Sequence, residues 1–134
     1  MGSTILSRIK SIAPLSGNLE FLPEDQVHPT FEILRNKFLL NPGSGSSLSV
    51  LDGTELSSEQ LKKYLRNLPV DKNSNVLVIW ASYRSAVLIP YSLLVENYDE
   101  LWFPSADDVF VTDKEMNWLL VIDHEEIFSF YSLK

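Results

Sequence analysis

One run constrains the fold more than any other feature of the chain. Asn75 to Ser82 reads NVLVIWAS, apolar at odd and even positions alike. Eight residues are too few for a core helix, and the β-branched content favours a strand. A strand's side chains alternate between two faces, so this one needs cover on both. It is therefore expected at the centre of a sheet with helices packed on it. The chain has 134 residues, 45% of them hydrophobic, which is material for a single domain over residues 1–134 with a substantial core.

Four segments carry a helical period that supplies such cover. Ile5, Ile9 and Ile12 fall on one face, with Ser3 or Thr4 as cap and Pro14 as stop. Thr30 is the expected cap of a second helix, which presents Phe31, Leu34 and Phe38 and ends before Asn41-Pro42-Gly43. Ser57-Ser58-Glu59-Gln60 is a capping box, in which the cap hydroxyl and the Gln side chain satisfy each other's free N–H groups. It opens onto Leu61, Tyr64, Leu65 and Leu68, and the helix closes between Asn67 and Pro69. A fourth helix is expected to start at Pro90 and run through Tyr91, Leu94, Tyr98 and Leu101.

Strand signals fill much of the remainder. Ser47 to Leu51 is a short strand ending in the Asp52-Gly53 turn pair. Val109–Thr112, Trp118–Asp123 and Ile127–Tyr131 follow with short connections, as a C-terminal three-strand meander. The expected order is α, α, β, α, β, α, β, β, β. Helices lie mainly in the first half, so the fold class is α+β with a mostly antiparallel sheet.

Most site chemistry is absent. With no cysteine, thiol catalysis, disulfides and cysteine-based metal sites drop out. Gly43-Ser44-Gly45-Ser46-Ser47 lacks the Lys of a phosphate loop and the third Gly of a dinucleotide fingerprint, so it reads as a flexible connection. His124-Glu125-Glu126 lacks the second His of a zinc-protease helix, since Phe128 stands there, and His28 is the only other imidazole. No metal and no cofactor is expected. Arg8 and Lys10 interrupt the N-terminal apolar stretch, so no signal peptide is read there, and the longest apolar run is far below a membrane span. A cytoplasmic protein without a membrane partner is expected.

The acid is unevenly placed. Glu96 to Glu126 holds ten of the 18 acids and one of the 11 bases, a local net of −9, while the rest of the chain nets +2. These acids fall at element ends. In an antiparallel meander, Asp113 and Glu115 occupy one end of the sheet, and Asp107, Asp108, Asp123, Glu125 and Glu126 gather at the other. Such a field repels nucleic acid and steers a basic partner, speeding encounter by ~10 to 10³-fold at low salt. The competing reading makes these acids a solvated rim, with Asp107 or Asp108 ending a turn and capping backbone N–H groups near a strand start.

Two C-terminal stretches carry a resemblance. Leu101-Trp102-Phe103-Pro104-Ser105-Ala106-Asp107-Asp108-Val109-Phe110-Val111 is followed by Asn117-Trp118-Leu119-Leu120-Val121-Ile122-Asp123-His124-Glu125-Glu126. This pattern, Trp-aromatic-Pro-x-x-Asp-Asp, then Trp-Leu-Leu beside His-Glu, resembles small bacterial immunity proteins for polymorphic or contact-dependent growth inhibition toxins. The resemblance implies an antitoxin role: a non-enzymatic protein that binds a cognate toxin domain, commonly a basic nuclease. Trp102, Asp107, Asp108, Asp123, His124, Glu125 and Glu126 are then the expected partner-binding residues, with Trp102 as the desolvated anchor. Two alternatives are a small enzyme using Asp107 or Asp108 with His124 as acid–base groups, and a scaffold subunit with an exposed apolar patch on the Leu61–Leu68 helix.

Overall fold

The computed structural model describes residues 20–39, 46–80, 85–96, 108–123 and 125–133. Their elements are β1 (Glu20–Phe21), α1 (Glu24–Leu34) continued by a π-helical turn (Arg35–Leu39), β2 (Ser46–Asp52), α2 (Ser58–Arg66), β3 (Asn75–Trp80), β4 (Ser85–Pro90), α3 (Tyr91–Glu96), β5 (Val109–Asp113), β6 (Trp118–Ile122) and β7 (Ile127–Leu133). The strands form one seven-stranded sheet in the order β1-β4-β3-β5-β6-β7-β2, with every neighbouring pair antiparallel. The α+β class, the helix-rich first half and the C-terminal meander all stand as read from the sequence.

The doubly apolar run forms β3, flanked by β4 and β5. Val76, Val78 and Trp80 face α2 and α3, packing with Leu61, Leu65, Tyr91, Leu120 and Phe128. Leu77 and Ile79 face the opposite way, toward α1, with Val27, Leu34, Phe38, Phe110 and Leu119. Trp80 and Ile79 are both fully buried, so the strand is covered on both sides. On the α1 side, Phe31 meets Phe110 edge-to-face with ring centres 4.8 Å apart.

Helix α2 matches its sequence signature closely. Ser57 caps it, its hydroxyl accepting from the Gln60 N–H at 3.2 Å while the Gln60 side chain accepts from the Ser57 N–H at 2.8 Å. Leu61, Leu65 and Leu68 are buried in the core, so the exposed apolar patch that a scaffold role asks of this helix is not there. Its last turn is tied down by α3. The buried Tyr91 hydroxyl donates at 2.7 Å to the Leu65 carbonyl in the last turn of the helix, which otherwise accepts only the long 3.4 Å bond from the Leu68 N–H.

Burial pushes the Tyr91 phenol far above the ordinary tyrosine range. A raised folded value favours the protonated form. The associated stability is complete below about pH 10, where an unfolded tyrosine ionises, and is lost as pH rises beyond it. Tyr91→Phe is therefore expected to cost about 1 kcal/mol at neutral pH, by removing the shorter of the two bonds that the Leu65 carbonyl accepts and leaving only that from the Leu68 N–H at 3.4 Å. The same variant should lose less stability than the wild type above about pH 10. Urea unfolding across that range checks both statements.

Four expectations are corrected. Thr30 is not a cap. Helix α1 starts about two turns earlier, after Pro23, and Thr30 lies inside it with its hydroxyl donating to the Gln26 carbonyl at 2.8 Å. Pro29 sits within that helix and removes one of its N–H bonds, yet burial of Val27 and Leu34 on either side of it holds the helix in place. Ser85–Pro90, absent from the expected order, is strand β4, and Pro90 ends that strand instead of starting a helix. Glu20–Phe21 adds the short edge strand β1. The helix expected over Ile5–Ile12 and the far end of the one through Leu101 lie outside the described residues.

Candidate functional site

Three strands deliver carboxylates to one end of the sheet. Val109 pairs with Ile122, which brings the preceding Asp108 opposite the following Asp123. The Asp123 N–H donates to the Ile127 carbonyl at 3.2 Å, and Ile127 pairs with Asp52 of β2. Asp108, Asp123, Ile127 and Asp52 thus form one row across β5, β6, β7 and β2. Alternation fixes the face. Val109, Ile122 and Leu51 pack toward α2, so their neighbours Asp108, Asp123 and Asp52 all lie on the α1 side. Strand spacing puts the outermost two about 14 Å apart.

The β6–β7 turn adds Glu125, which is exposed, and Glu126, which is half-buried. Among the described residues, no lysine or arginine pairs with Asp52, Asp123, Glu125 or Glu126; the ion pairs join Glu32 to His28 and Arg35, on α1. His28 therefore belongs to the helix surface and not to this end of the sheet. Trp102, Asp107 and His124 lie outside the described residues.

Two of these aspartates also build the backbone around them. One Asp123 oxygen accepts the N–H groups of Glu125 and Ile127 at 2.8 and 3.0 Å. One Asp52 oxygen accepts from the Thr54 N–H at 3.0 Å and its hydroxyl at 2.7 Å. Both carboxylates thus hold the turns beside them, and each keeps its second oxygen for another donor. The Thr54 bonds hold the Asp52 carboxyl below the ordinary range, backbone N–H first. A depressed value favours folding above the unfolded pKa, and that contribution fades as pH falls through the folded one.

Asp52 is the member that sequence reasoning missed. Asp52-Gly53 reads as a turn pair, and only the β2–β7 register carries it to the acidic end, some 70 residues away along the chain. Gly53 permits the approach: a Cβ there would stand 2.9 Å from Phe128 Cε1 and 3.0 Å from both the Glu126 carbonyl and Leu61 Cδ2.

The β5–β6 and β6–β7 turns repeat one design. Asp113 accepts the Asn117 N–H as Asp123 accepts that of Ile127, and Met116 and Glu126 occupy the same left-handed position, with φ of 57° and 64°. That conformation costs a side-chain-bearing residue about 1 kcal/mol relative to glycine. Met116 packs its side chain on the α1-side core in return, whereas Glu126 is charged and brings no apolar side chain to offset the cost. Glu126→Gly is therefore expected to raise stability by about 0.5–1 kcal/mol in a denaturant melt while removing a charge from the acidic end.

A concavity of about 580 Å³ lies at the opposite end of the sheet, between the α2–β3 connection and the β5–β6 turn. Asp71, Asp113, Glu115, Lys114 and three asparagines line it, with Trp118 alongside. Asp71 and Asp113 each accept backbone N–H groups there, from Asn73 at 2.9 Å and Asn117 at 2.6 Å. The meander thus separates the acids into the two ends expected of it. Among the described residues, no three of His, Asp and Glu come together as a metal-binding group. No described helix is long and apolar enough to cross a membrane.

No family model, curated protein or solved structure matches this chain.

Proposed function

We propose that this chain is a partner-binding protein that neutralises a basic protein domain, an immunity protein for a bacterial toxin, acting in the cytoplasm. The single observation that carries the reading is the shared row of Asp108, Asp123 and Asp52, joined at the sheet end by Glu125 and Glu126. Acids far apart in sequence meet on one side of one sheet end. Fixed carboxylates of this kind offer a toxin's phosphate-binding bases an alternative counter-charge, and their collective field accelerates encounter. The resemblance in the C-terminal third supplies the role, and the geometry supplies the surface. Nucleic acid is not a direct partner in this account, because the same field opposes phosphate.

The test is co-expression with the product of the neighbouring reading frame. Growth arrest by that product, relieved by this chain and no longer relieved once the row is neutralised, supports the proposal. A product that is harmless, or that is neutralised equally well by a chain lacking the row's charges, contradicts it.

A further inference from the structure

The two edges of the sheet are built differently. On one side β1 is two residues long, and the chain leaves it at Pro23 to enter α1. On the other, β2 runs seven residues in unbroken register with β7, from Ser46 opposite Leu133 to Asp52 opposite Ile127. Soluble proteins blunt long edges with lysine, proline, a bulge or a covering element. Strand β2 reads SSLSVLD, without lysine or proline, and its register has no bulge. No described residue pairs with its outer side.

The register also shows which backbone groups are left over. The Gly53 N–H donates to the Glu126 carbonyl at 2.9 Å, so Gly53, Leu51, Ser49 and Ser47 are the positions that exchange bonds with β7. The intervening Leu48, Val50 and Asp52 turn their N–H and C=O groups outward. Val50 is 61% exposed, one of two large hydrophobic residues so displayed among those described, and shares its face of β2 with Asp52. The outward edge therefore presents a ladder of backbone groups that no described residue pairs with, an apolar side chain, and a carboxylate continuous with the acidic row.

We infer that β2 is a strand-addition site for an extended segment of a basic partner, with an apolar residue opposite Val50 and a lysine or arginine opposite Asp52. Main-chain hydrogen bonds supply the affinity of such a pairing, and alternate side chains supply its selectivity. Charge argues against a second copy as occupant. Its β2 has no base to set against Asp52, and it brings a further net −7. The inference rests on the partner being basic, as proposed above, and adds how that partner docks.

The probe is a synthetic peptide of about ten residues alternating threonine with lysine and valine, added to the full chain and followed by amide-resolved hydrogen exchange. The Leu48, Val50 and Asp52 amides should exchange about ten-fold more slowly or better with the peptide present, and a control peptide with glutamate for lysine should leave them unchanged. Val50→Pro removes an outward N–H without touching the β7 ladder, and Val50→Lys adds an edge charge. Each should weaken binding about ten-fold or more; should the proline variant not fold, the lysine variant and the wild-type exchange pattern still decide. Protection at other amides, or binding by both Val50 variants as tight as that of the wild type, overturns strand addition. So does a concentration-dependent dimer with these amides already protected. Binding lost on neutralising the acidic row but kept in the Val50 variants overturns strand addition while leaving the acidic surface as the partner site.

Discussion

Trp80→Ala is expected to remove about 3–5 kcal/mol of folding stability, the largest single loss any substitution in this chain should cause. Trp80 is fully buried at the end of the central strand, paired with Ser85 of β4 on one side and Val109 of β5 on the other. Its ring packs in the core between the sheet and helices α2 and α3. Truncation leaves a void that those elements cannot collapse into without breaking ladder bonds on both flanks. Domains of this size have about 5–15 kcal/mol in total, so the loss takes from about a fifth of that total to all of it. Urea unfolding of Trp80→Ala and Trp80→Phe checks it, with the phenylalanine variant losing less than half as much. A cost for Trp80→Ala below about 1 kcal/mol would mean that the region is loosely packed.

The second large effect concerns function. Changing Asp52, Asp108 and Asp123 together to asparagine should slow association with a basic partner by about 10- to 100-fold at low ionic strength. Asparagine keeps an oxygen that can accept the backbone and Thr54 bonds that Asp52 and Asp123 now accept, so the turns survive and charge alone is removed. Dissociation should change less, since long-range steering acts on encounter. A matched control sits at the other end of the sheet: Asp71→Asn, Asp113→Asn and Glu115→Gln remove the same charge around the 580 Å³ concavity. Stopped-flow association of both triple variants separates surface from net charge. Equal slowing would mean that only the total of −7 matters.

The sequence carried much of this fold because its strongest signals are local. The Ser57–Gln60 capping box is a contact three residues apart, and it appears in the structure as written. The doubly apolar β3 and the meander after Val109 are likewise set by short patterns. Signals failed where local chemistry points one way and packing another. Pro29 followed by Thr30 looks like a helix boundary, yet Val27 and Leu34 are buried on either side of it and keep α1 continuous. Ser85–Pro90 has no alternation to mark it as a strand, because Val87 and Ile89 are buried on one face while Ala86 is buried on the other.

The candidate site divides the same way. Neighbours across the β6–β7 turn, Asp123 with Glu125 and Glu126, are local and legible. Asp52 reaches the row only through the pairing of β2 with β7 rather than with an element nearer in sequence, and no pattern within either strand encodes that choice. The edge position of β2 among the described strands is invisible for the same reason, since being last in a sheet is a property of topology.

The central claim is that the acidic end of the sheet is where a partner is captured, and the salt dependence of association tests it most directly. The rate constant with the neighbouring frame's product should fall at least about ten-fold between low and roughly 0.2 M salt, and the asparagine triple variant should flatten that dependence. A rate indifferent to salt, or a dependence just as steep in the variant, would contradict the account.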